Sequence, residues 1–195
     1  MNPRKRGRPP RRKSGSQANP ASPSTPSALK LARRGEGNPP VWELTHPRCA
    51  RERSEDIEEV RAMLEAGEFD IARDELRWLL DGCTDFVDAH HLLGEIAFAE
   101  GDFSLARGHF GYVHRICTAA FPGDKLSGTL PAALPGNRVF FESGKALAYC
   151  LHELKLTAQA LQLLDELRRL DPGDPLELAA RWQTWSNEVQ QIRLL

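Results

Sequence analysis

The sequence predicts an all-α protein, in which a stack of helical hairpins follows a disordered N-terminal tail. Three observations predict this fold class. Matching residues recur every 34 positions, apolar residues recur at three- and four-residue spacing, and the final segment is amphipathic. Because a single helical hairpin cannot cover its own apolar face, neighbouring hairpins of this kind must stack on one another.

The repeat is visible when "LEAGEFDIARDELRWLLDGC" (64–83) is aligned with "FAEGDFSLARGHFGYVHRIC" (98–117). Six pairs of similar residues in this alignment are 34 positions apart, including two glycines, two phenylalanines and two alanines. Gly67 and Gly101 are expected to end the first helix of each hairpin, since glycine tolerates the left-handed cap conformation. Gly94 and Ala106 are small where the two helices of the second hairpin must approach closely.

The motif His90-x2-Leu93-Gly94 followed by Ala106-x3-Phe110 resembles the tetratricopeptide repeat (TPR), a 34-residue helical hairpin. The resemblance implies about three TPR-like repeats, at about 53–86, 87–120 and 141–174. The third repeat has Lys155 where the first two have glycine.

Twenty extra residues separate the second and third repeats and fit within an insert at 118–137, which is rich in Pro and Gly. Such an insert is either a tolerated decoration that folds back onto the stack or a binding loop.

A terminal capping helix is expected at 175–193, with Asp174 as its N-cap, Pro175 at its first position and Glu177 completing a capping box. Its apolar stripe is formed by Leu178, Trp182, Trp185, Val189 and Ile192. The alternative is a dimerisation helix, so the chain is expected to be a monomer or a weak dimer.

Residues 1–40 form a basic tail, with ten Lys or Arg and one Glu, whereas the remaining residues carry 16 bases and 26 acids. The Ser, Pro and Gly content of this tail predicts disorder up to residue 40, with a transient helical turn at 27–34. The helical domain is therefore expected at 41–195. The tail residues Arg6, Gly7, Arg8 and Pro9 resemble the core of the AT-hook, which implies binding in the minor groove of A·T-rich DNA. The alternatives are a localisation signal, a general attraction to polyanions, or contact with the acidic body.

No catalytic, cofactor or metal motif is recognisable, so no enzyme activity is expected. Neither the adjacent pair His90 and His91 nor the pair His109 and His114 has a metal-ligand spacing. Cys49, Cys83 and Cys117 are 34 residues apart, which would place them on successive hairpins, too far apart for a disulfide. We therefore expect reduced cysteines and a cytoplasmic protein, associated with nucleus or nucleoid if the tail binds DNA. No membrane span is expected.

The TPR resemblance implies a non-enzymatic scaffold whose concave groove, formed by the first helix of each repeat, binds a peptide or partner helix. The groove positions carried over from the family are Ile57, Arg61, Leu64, Asp88, His91, Glu95, Phe98, Lys145, Tyr149 and His152. This set has few bases, so a basic or amphipathic ligand is expected in an acidic groove. The Lys/Asn set that holds a C-terminal carboxylate in some family members is missing. There are two alternatives to this peptide-binding scaffold. In one, the groove residues form only a solvated inner face, and in the other, the protein is an adaptor that the tail tethers to DNA.

Overall fold

The computed structural model describes residues 29–123 and 125–192, with side chains up to residue 187. The described elements are β1 (Lys30–Arg34), β2 (Val41–Thr45), α1 (Arg48–Arg51), α2 (Ser54–Glu65), α3 (Phe69–Gly82), α4 (Val87–Ala99), α5 (Phe103–Thr118), α6 (Pro135–Glu153), α7 (Thr157–Leu170) and α8 (Leu178–Ile192).

The helices form three successive hairpins, α2–α3, α4–α5 and α6–α7, which stack in chain order and are followed by α8. The prediction of an all-α stack of helical hairpins is confirmed. The third hairpin begins at Pro135, six residues before the start expected for the third repeat, because α6 has an additional N-terminal segment. Two buried apolar clusters form the interior, one between the first hairpin and α4 and a larger one extending from α4 to α8.

Close helix packing in the second hairpin depends on small residues, as the sequence predicted. A Cβ atom at Gly94 would lie 2.6 Å from the Phe110 ring, and Ala106 is fully buried. Gly67 lies in the turn between the helices of the first hairpin, with a φ angle of 80°, and Gly101 lies in the equivalent turn of the second hairpin, with a φ angle of 79°. Lys155 occupies the same turn of the third hairpin at φ 65°, a conformation that costs a residue with a Cβ about 1–2 kcal/mol.

The largest departure from the sequence analysis is an antiparallel β-hairpin at 30–45, where β1 lies in the segment expected to be disordered and transiently helical. The helical expectation for 27–34 is wrong for residues 30–34, and the expectation of disorder up to residue 40 is wrong for the described residues 29–40. Leu29 and Leu44 are buried in the larger core, so a tertiary contact overrides the local composition. Residues 1–28, including Arg6–Pro9, lie outside the described residues.

The connection between α5 and α6 joins the β-hairpin to the last hairpin of the stack. The backbone N–H of Trp42 donates to the Thr129 carbonyl at 2.8 Å, and that of Leu130 donates to the Leu170 carbonyl at 2.8 Å. Leu130 is fully buried. This part of the expected insert therefore folds back onto the stack and connects β2 to the end of α7.

The first turn of α6 is joined to β2 by one side-chain amide. The Asn137 Oδ1 atom accepts from the Leu44 N–H at 2.8 Å, and its Nδ2 atom donates to the Trp42 and Pro131 carbonyls, both at 2.9 Å. The Asn137 amide thus makes the hydrogen bonds to the backbone of β2 that a third strand would make. Gly136 allows this approach, since a Cβ atom there would lie 2.0 Å from the Leu44 carbonyl oxygen.

Cys49 and Cys83 form a disulfide with a Cα–Cα distance of 5.8 Å, so the expectation of reduced cysteines is wrong for this pair. The error arose from assuming that all three cysteines at 34-residue spacing occupy equivalent positions. Cys83 directly follows α3 and Cys117 lies at the end of α5, so both occupy the end of the second helix of a hairpin. Cys49 instead lies in α1, a four-residue helix outside the repeats. Cys117 is buried and reduced, as is Cys150.

The C-terminal helix begins three residues later than expected. Asp174 accepts hydrogen bonds from the backbone N–H groups of Leu178 and Ala179, at 2.7 and 2.8 Å, so it does cap α8. The expected capping box does not form, because Glu177 has a φ of 56° and precedes the helix. Leu178 and Trp185 are buried in the larger core, so α8 covers the last hairpin.

The Asn137→Ala variant is expected to be less stable than the wild type by about 2–4 kcal/mol, since three buried or half-buried backbone groups would lose their partner. Urea unfolding of both proteins measures the difference. Asn187→Ala is the matched control, because Asn187 is exposed on α8 and, among the described residues, hydrogen-bonds to Gln183 alone, so its loss should cost under about 0.5 kcal/mol. A cost below about 1 kcal/mol for Asn137→Ala would contradict the role of this amide.

Candidate functional site

A cavity of about 1380 Å³ lies on the inner side of the stack, and we call it the concave cavity. Its walls are α2, α4 and α6, the first helices of the three hairpins, together with the β-hairpin and α1. From Asp88 to Phe98, both lining residues, α4 rises by about 15 Å, the length of about three helical turns. The volume exceeds the roughly 300–1,000 Å³ of ordinary small-molecule pockets.

Eight of the ten predicted groove residues line this cavity: Ile57, Arg61, Asp88, His91, Glu95, Phe98, Lys145 and Tyr149. Leu64 does not line it and instead packs against the core of the first hairpin. His152 does not line it either, since its ring stacks on Trp185 with centroids 4.3 Å apart and planes 10° apart. The repeat alignment placed His152 in the groove because it did not account for α8 covering the end of α6.

The sequence analysis missed the lining residues outside the repeats. These are chiefly Arg34, Glu43 and His46 of the β-hairpin segment, Arg51 of α1, and Arg138 of α6. Glu142 of α6 also lines the cavity; it lies within the third repeat but was not among the predicted positions. A signal for the hairpin was present, since "VWELT" alternates and contains β-branched and aromatic residues that favour a strand. Nothing in the sequence indicates that the hairpin packs beside α2, α4 and α6, because that position depends on tertiary contacts.

The concave cavity is not acidic, which corrects the expectation of an acidic groove. Its charged lining residues are five bases, Arg34, Arg51, Arg61, Arg138 and Lys145, and five acids, Glu43, Glu58, Asp88, Glu95 and Glu142. The residues beyond the ten predicted positions add three bases, Arg34, Arg51 and Arg138, and three acids, Glu43, Glu58 and Glu142, so the two signs stay equal in number.

Most of these charges already have partners. Arg34 pairs with Glu43, whose second oxygen accepts from the Gly136 N–H at 3.0 Å, and Arg138 pairs with Glu142 at 2.7 Å. The exception is Arg51, an exposed residue with no ion pair or side-chain hydrogen bond to any described residue. An exposed guanidinium at the rim is a ready partner for a carboxylate.

His91 forms a buried polar contact in the cavity wall. Its Nε2 atom lies 3.3 Å from Glu95 Oε1, and its Nδ1 atom lies 2.8 Å from the Ser143 hydroxyl. Because a carboxylate can only accept, Nε2 carries a proton and donates to Glu95, and in a neutral ring Nδ1 accepts from Ser143. The hydrogen bond from His91 lowers the pKa of Glu95, and the charge of Arg61 acts in the same direction.

The Ser143–His91–Glu95 line has the residue types of a hydrolytic triad, but its geometry does not suit catalysis. A nucleophile must reach a bound substrate, whereas Ser143 is fully buried and does not line the cavity. The two hydrogen bonds therefore fix the ring of His91 between α4 and α6. Within the part of the chain that the structure describes, no group of three or more His, Cys, Asp or Glu residues is arranged to hold a metal ion.

The end of the cavity near α8 contains Tyr149 and Lys145. The Tyr149 ring meets the Trp185 ring edge-on at 5.2 Å, and the Arg181 guanidinium lies 4.8 Å from the Tyr149 ring centroid. Lys145 Nζ donates to the Leu176 carbonyl at 2.9 Å. Tyr149 and Lys145 are consequently held in place by contacts with α8 and with the segment before it.

Comparison with known proteins shows a likeness at the level of the fold. The C-terminal TPR-containing domain of a Plasmodium falciparum protein described as an FK506-binding protein has a similar structure, with a TM-score of 0.52 and 13% sequence identity. The match covers 75% of this chain and 94% of that domain. The chain therefore has a TPR-like helical fold. No family model matches the sequence, and no curated protein is similar to it.

Among helices in the ranges 29–123 and 125–192, none combines the length and apolar character needed to cross a bilayer.

The Glu95→Gln variant tests the contact with His91. The pKa of Glu95 is lower in the folded state than in the unfolded state, so its ionised carboxylate stabilises the fold at pH values above the unfolded-state pKa. This stabilisation is lost as the pH falls through the folded-state pKa. Glu95 is half exposed, so we expect the variant to be less stable at pH 7 by under about 1 kcal/mol. The difference should close as the pH falls below about 4.

Unfolding curves measured from pH 3 to pH 7 check this expectation. Glu65→Gln is the matched control, since Glu65 is an exposed acid of α2 with no ion pair to a described residue. A difference between Glu95→Gln and the wild type that stays constant over the whole pH range would contradict the assignment.

Proposed function

We propose that this protein is a non-enzymatic scaffold that binds a short amphipathic helix of a partner protein in the concave cavity. The observation that carries the proposal is the convergence of α2, α4 and α6 on one open cavity with the length of about three helical turns. A TPR-like fold favours protein partners at a general level. The binding of a helix in this cavity is the specific step that we propose.

The lining chemistry supports an apolar face on the partner. Phe98, Ala146 and Tyr149 are partly exposed apolar or aromatic residues on α4 and α6, and they can contact side chains that recur at three- and four-residue spacing. Equal numbers of rim acids and bases give no reason for a strongly basic partner. We therefore retain the amphipathic ligand and no longer favour a basic one.

Arg51 defines the polar end of the proposed partner. Because Arg51 has no partner among the described residues, while the other cationic lining residues do, a carboxylate on the bound helix can pair with it without breaking an existing contact. The proposed ligand thus has an apolar stripe facing α4 and α6 and an acidic residue near α1.

A display selection tests this proposal, with random 20-residue peptides presented to the full-length wild type. We expect recovered peptides with apolar residues at helical spacing and at least one acid. Ala146→Arg should weaken their binding at least tenfold, since it places a long charged side chain on the cavity wall. Ala62→Arg is the matched control on the exposed face of α2 and should bind as the wild type does.

A second pair of variants tests the contact with Arg51. Arg51→Ala should weaken the same peptides about two- to fivefold, the range for an exposed ion pair. Arg48→Ala, in the same short helix but outside the cavity, should leave the affinity unchanged. Peptides that bind Ala146→Arg as tightly as the wild type would show that the concave cavity is not the binding site.

A second candidate function rests on the sequence Arg6-Gly7-Arg8-Pro9, which suits minor-groove binding of A·T-rich DNA and would tether the scaffold there. Full-length protein should bind an A·T-rich duplex more tightly than a G·C-rich one, with a salt-dependent affinity. Replacing Arg6 and Arg8 by Ala should remove the A·T preference. Replacing Arg11 and Arg12 removes the same charge and should preserve it, so equal losses in the two variants would exclude an AT-hook.

A further inference from the structure

We propose that the Cys49–Cys83 disulfide is a redox latch that holds one wall of the concave cavity in its binding shape. The latched wall is the segment 46–54, which includes α1 and supplies His46, Ala50, Arg51 and Ser54 to the cavity. This inference rests on the proposed function, because the latch regulates the same site. It predicts that the oxidised protein is the form competent to bind.

Among the described residues, the latched wall has few attachments other than the disulfide and the buried side chains of Pro47 and Ala50. Helix α1 is four residues long, and its N-cap Pro47 provides no side-chain hydrogen bond. Ala50 is the buried residue within the helix, and its methyl group covers little apolar area. A helix this short is not stable without tertiary contacts. The bond from Cys49 to the end of α3 is therefore the strongest link between α1 and the stack.

The polar contacts at the two ends of the latched wall are weaker. At one end, the His46 Nε2 atom lies 2.8 Å from the Gly136 carbonyl oxygen, and its Nδ1 atom lies 3.7 Å from the Asp88 carboxylate. At the other end, the Arg53 guanidinium lies 4.6 Å from the centroid of Trp78, with its Nη1 atom buried and without a hydrogen-bond partner. Neither contact holds the middle of the segment, where Arg51 lies.

The distribution of burial makes this bond the accessible site of thiol chemistry. Cys49 is only partly buried, whereas its partner Cys83 and the reduced cysteines Cys117 and Cys150 are buried, so a reductant reaches the bond from the Cys49 side. Burial raises the pKa of Cys117 far above its usual range and that of Cys150 to about 11, so neither is an effective thiolate at neutral pH. A reductant can therefore act on Cys49–Cys83 without interference from the other two cysteines.

The proposed reaction is an exchange with a dithiol reductant. A reductant thiolate attacks Cys49 Sγ, the protein S–S bond breaks, and Cys83 leaves as a thiolate that takes up a proton. The second reductant thiol then displaces Cys49, which also becomes a thiol, and the reductant closes to its own disulfide. Two electrons and two protons pass to the protein. A low-molecular-weight disulfide such as oxidised glutathione reverses the reaction.

Hydrogen exchange tests the latch on the full-length protein without any ligand. Reduction with dithiothreitol should accelerate amide exchange across 48–57 at least tenfold and leave α6 unchanged. Cys49→Ser/Cys83→Ser should show the reduced pattern in the absence of reductant and should not respond to it. Cys150→Ala, which removes a buried thiol, should respond as the wild type does.

Two outcomes of this experiment would overturn the latch. If exchange across 48–57 is the same in the oxidised and reduced wild type, the bond does not hold the wall. If reduction accelerates exchange throughout α4, α5 and α6, the bond stabilises the whole fold and does not act locally on the latched wall. Because both outcomes are read from the reduced wild type, they remain informative even if the double serine variant fails to fold.

A second readout separates the latch from the proposed function. A fluorescein-labelled peptide from the display selection should bind the reduced protein at least fivefold more weakly than the oxidised protein. Equal affinities would show that the latch does not regulate the cavity. If the selection yields no peptide, the scaffold proposal fails, whereas the exchange experiment still decides whether the bond is a latch.

Discussion

The structure depends on the contact between β2 and the first turn of α6. Asn137 supplies a donor and an acceptor that satisfy the outer edge of β2, and Glu43 accepts from the N–H of Gly136 at the start of the helix. An acidic group at a helix N-terminus is also favoured by the helix dipole. Without this contact, the β-hairpin would have an unsatisfied edge and the concave cavity would lack one of its walls.

That contact gives the protein a site that a plain stack of hairpins would not have. Three parallel inner helices alone form an open face, whereas the β-hairpin and α1 close one side and bring additional charges to the rim. The ion pairs of Arg34 and Arg138 keep most of that rim neutral. Under the proposed function, we expect recognition in this cavity to depend mainly on apolar shape and on the position of Arg51, and little on net charge.

The parts of the fold that the sequence could predict are those governed by local periodicity. Gly67, Gly101, Gly94 and Ala106 have conformations and contacts that follow from the 34-residue repeat, so the helical hairpins could be predicted from the sequence. Eight of the ten groove positions taken from that repeat line the concave cavity, and their role in binding remains a prediction. The position of α8 was predicted less accurately, because Asp174 caps the helix from outside its first turn. Repeat alignment also could not reveal that Trp185 covers His152.

The features that the sequence did not reveal depend on contacts between distant segments. β1 reads locally as a polar linker or a short helix, and it becomes a strand because Leu44 and Leu29 have a core to enter. The disulfide was missed for a related reason, since Cys49 fits the numerical repeat but lies in α1. A regular spacing in sequence identifies equivalent positions only where the elements themselves are equivalent.

The long separation in sequence between β2 and α6 has a consequence for folding while the chain is being synthesised. Leu44 and Asn137 are 93 residues apart, so at about 5–20 residues per second the ribosome takes roughly 5–20 s to produce the partner that the hairpin requires. During that interval the edge of β2 has no partner, and unpaired strand edges promote association between nascent chains. The exposed cationic side chains of Lys30 and Arg33 on the neighbouring strand oppose that association by electrostatic repulsion.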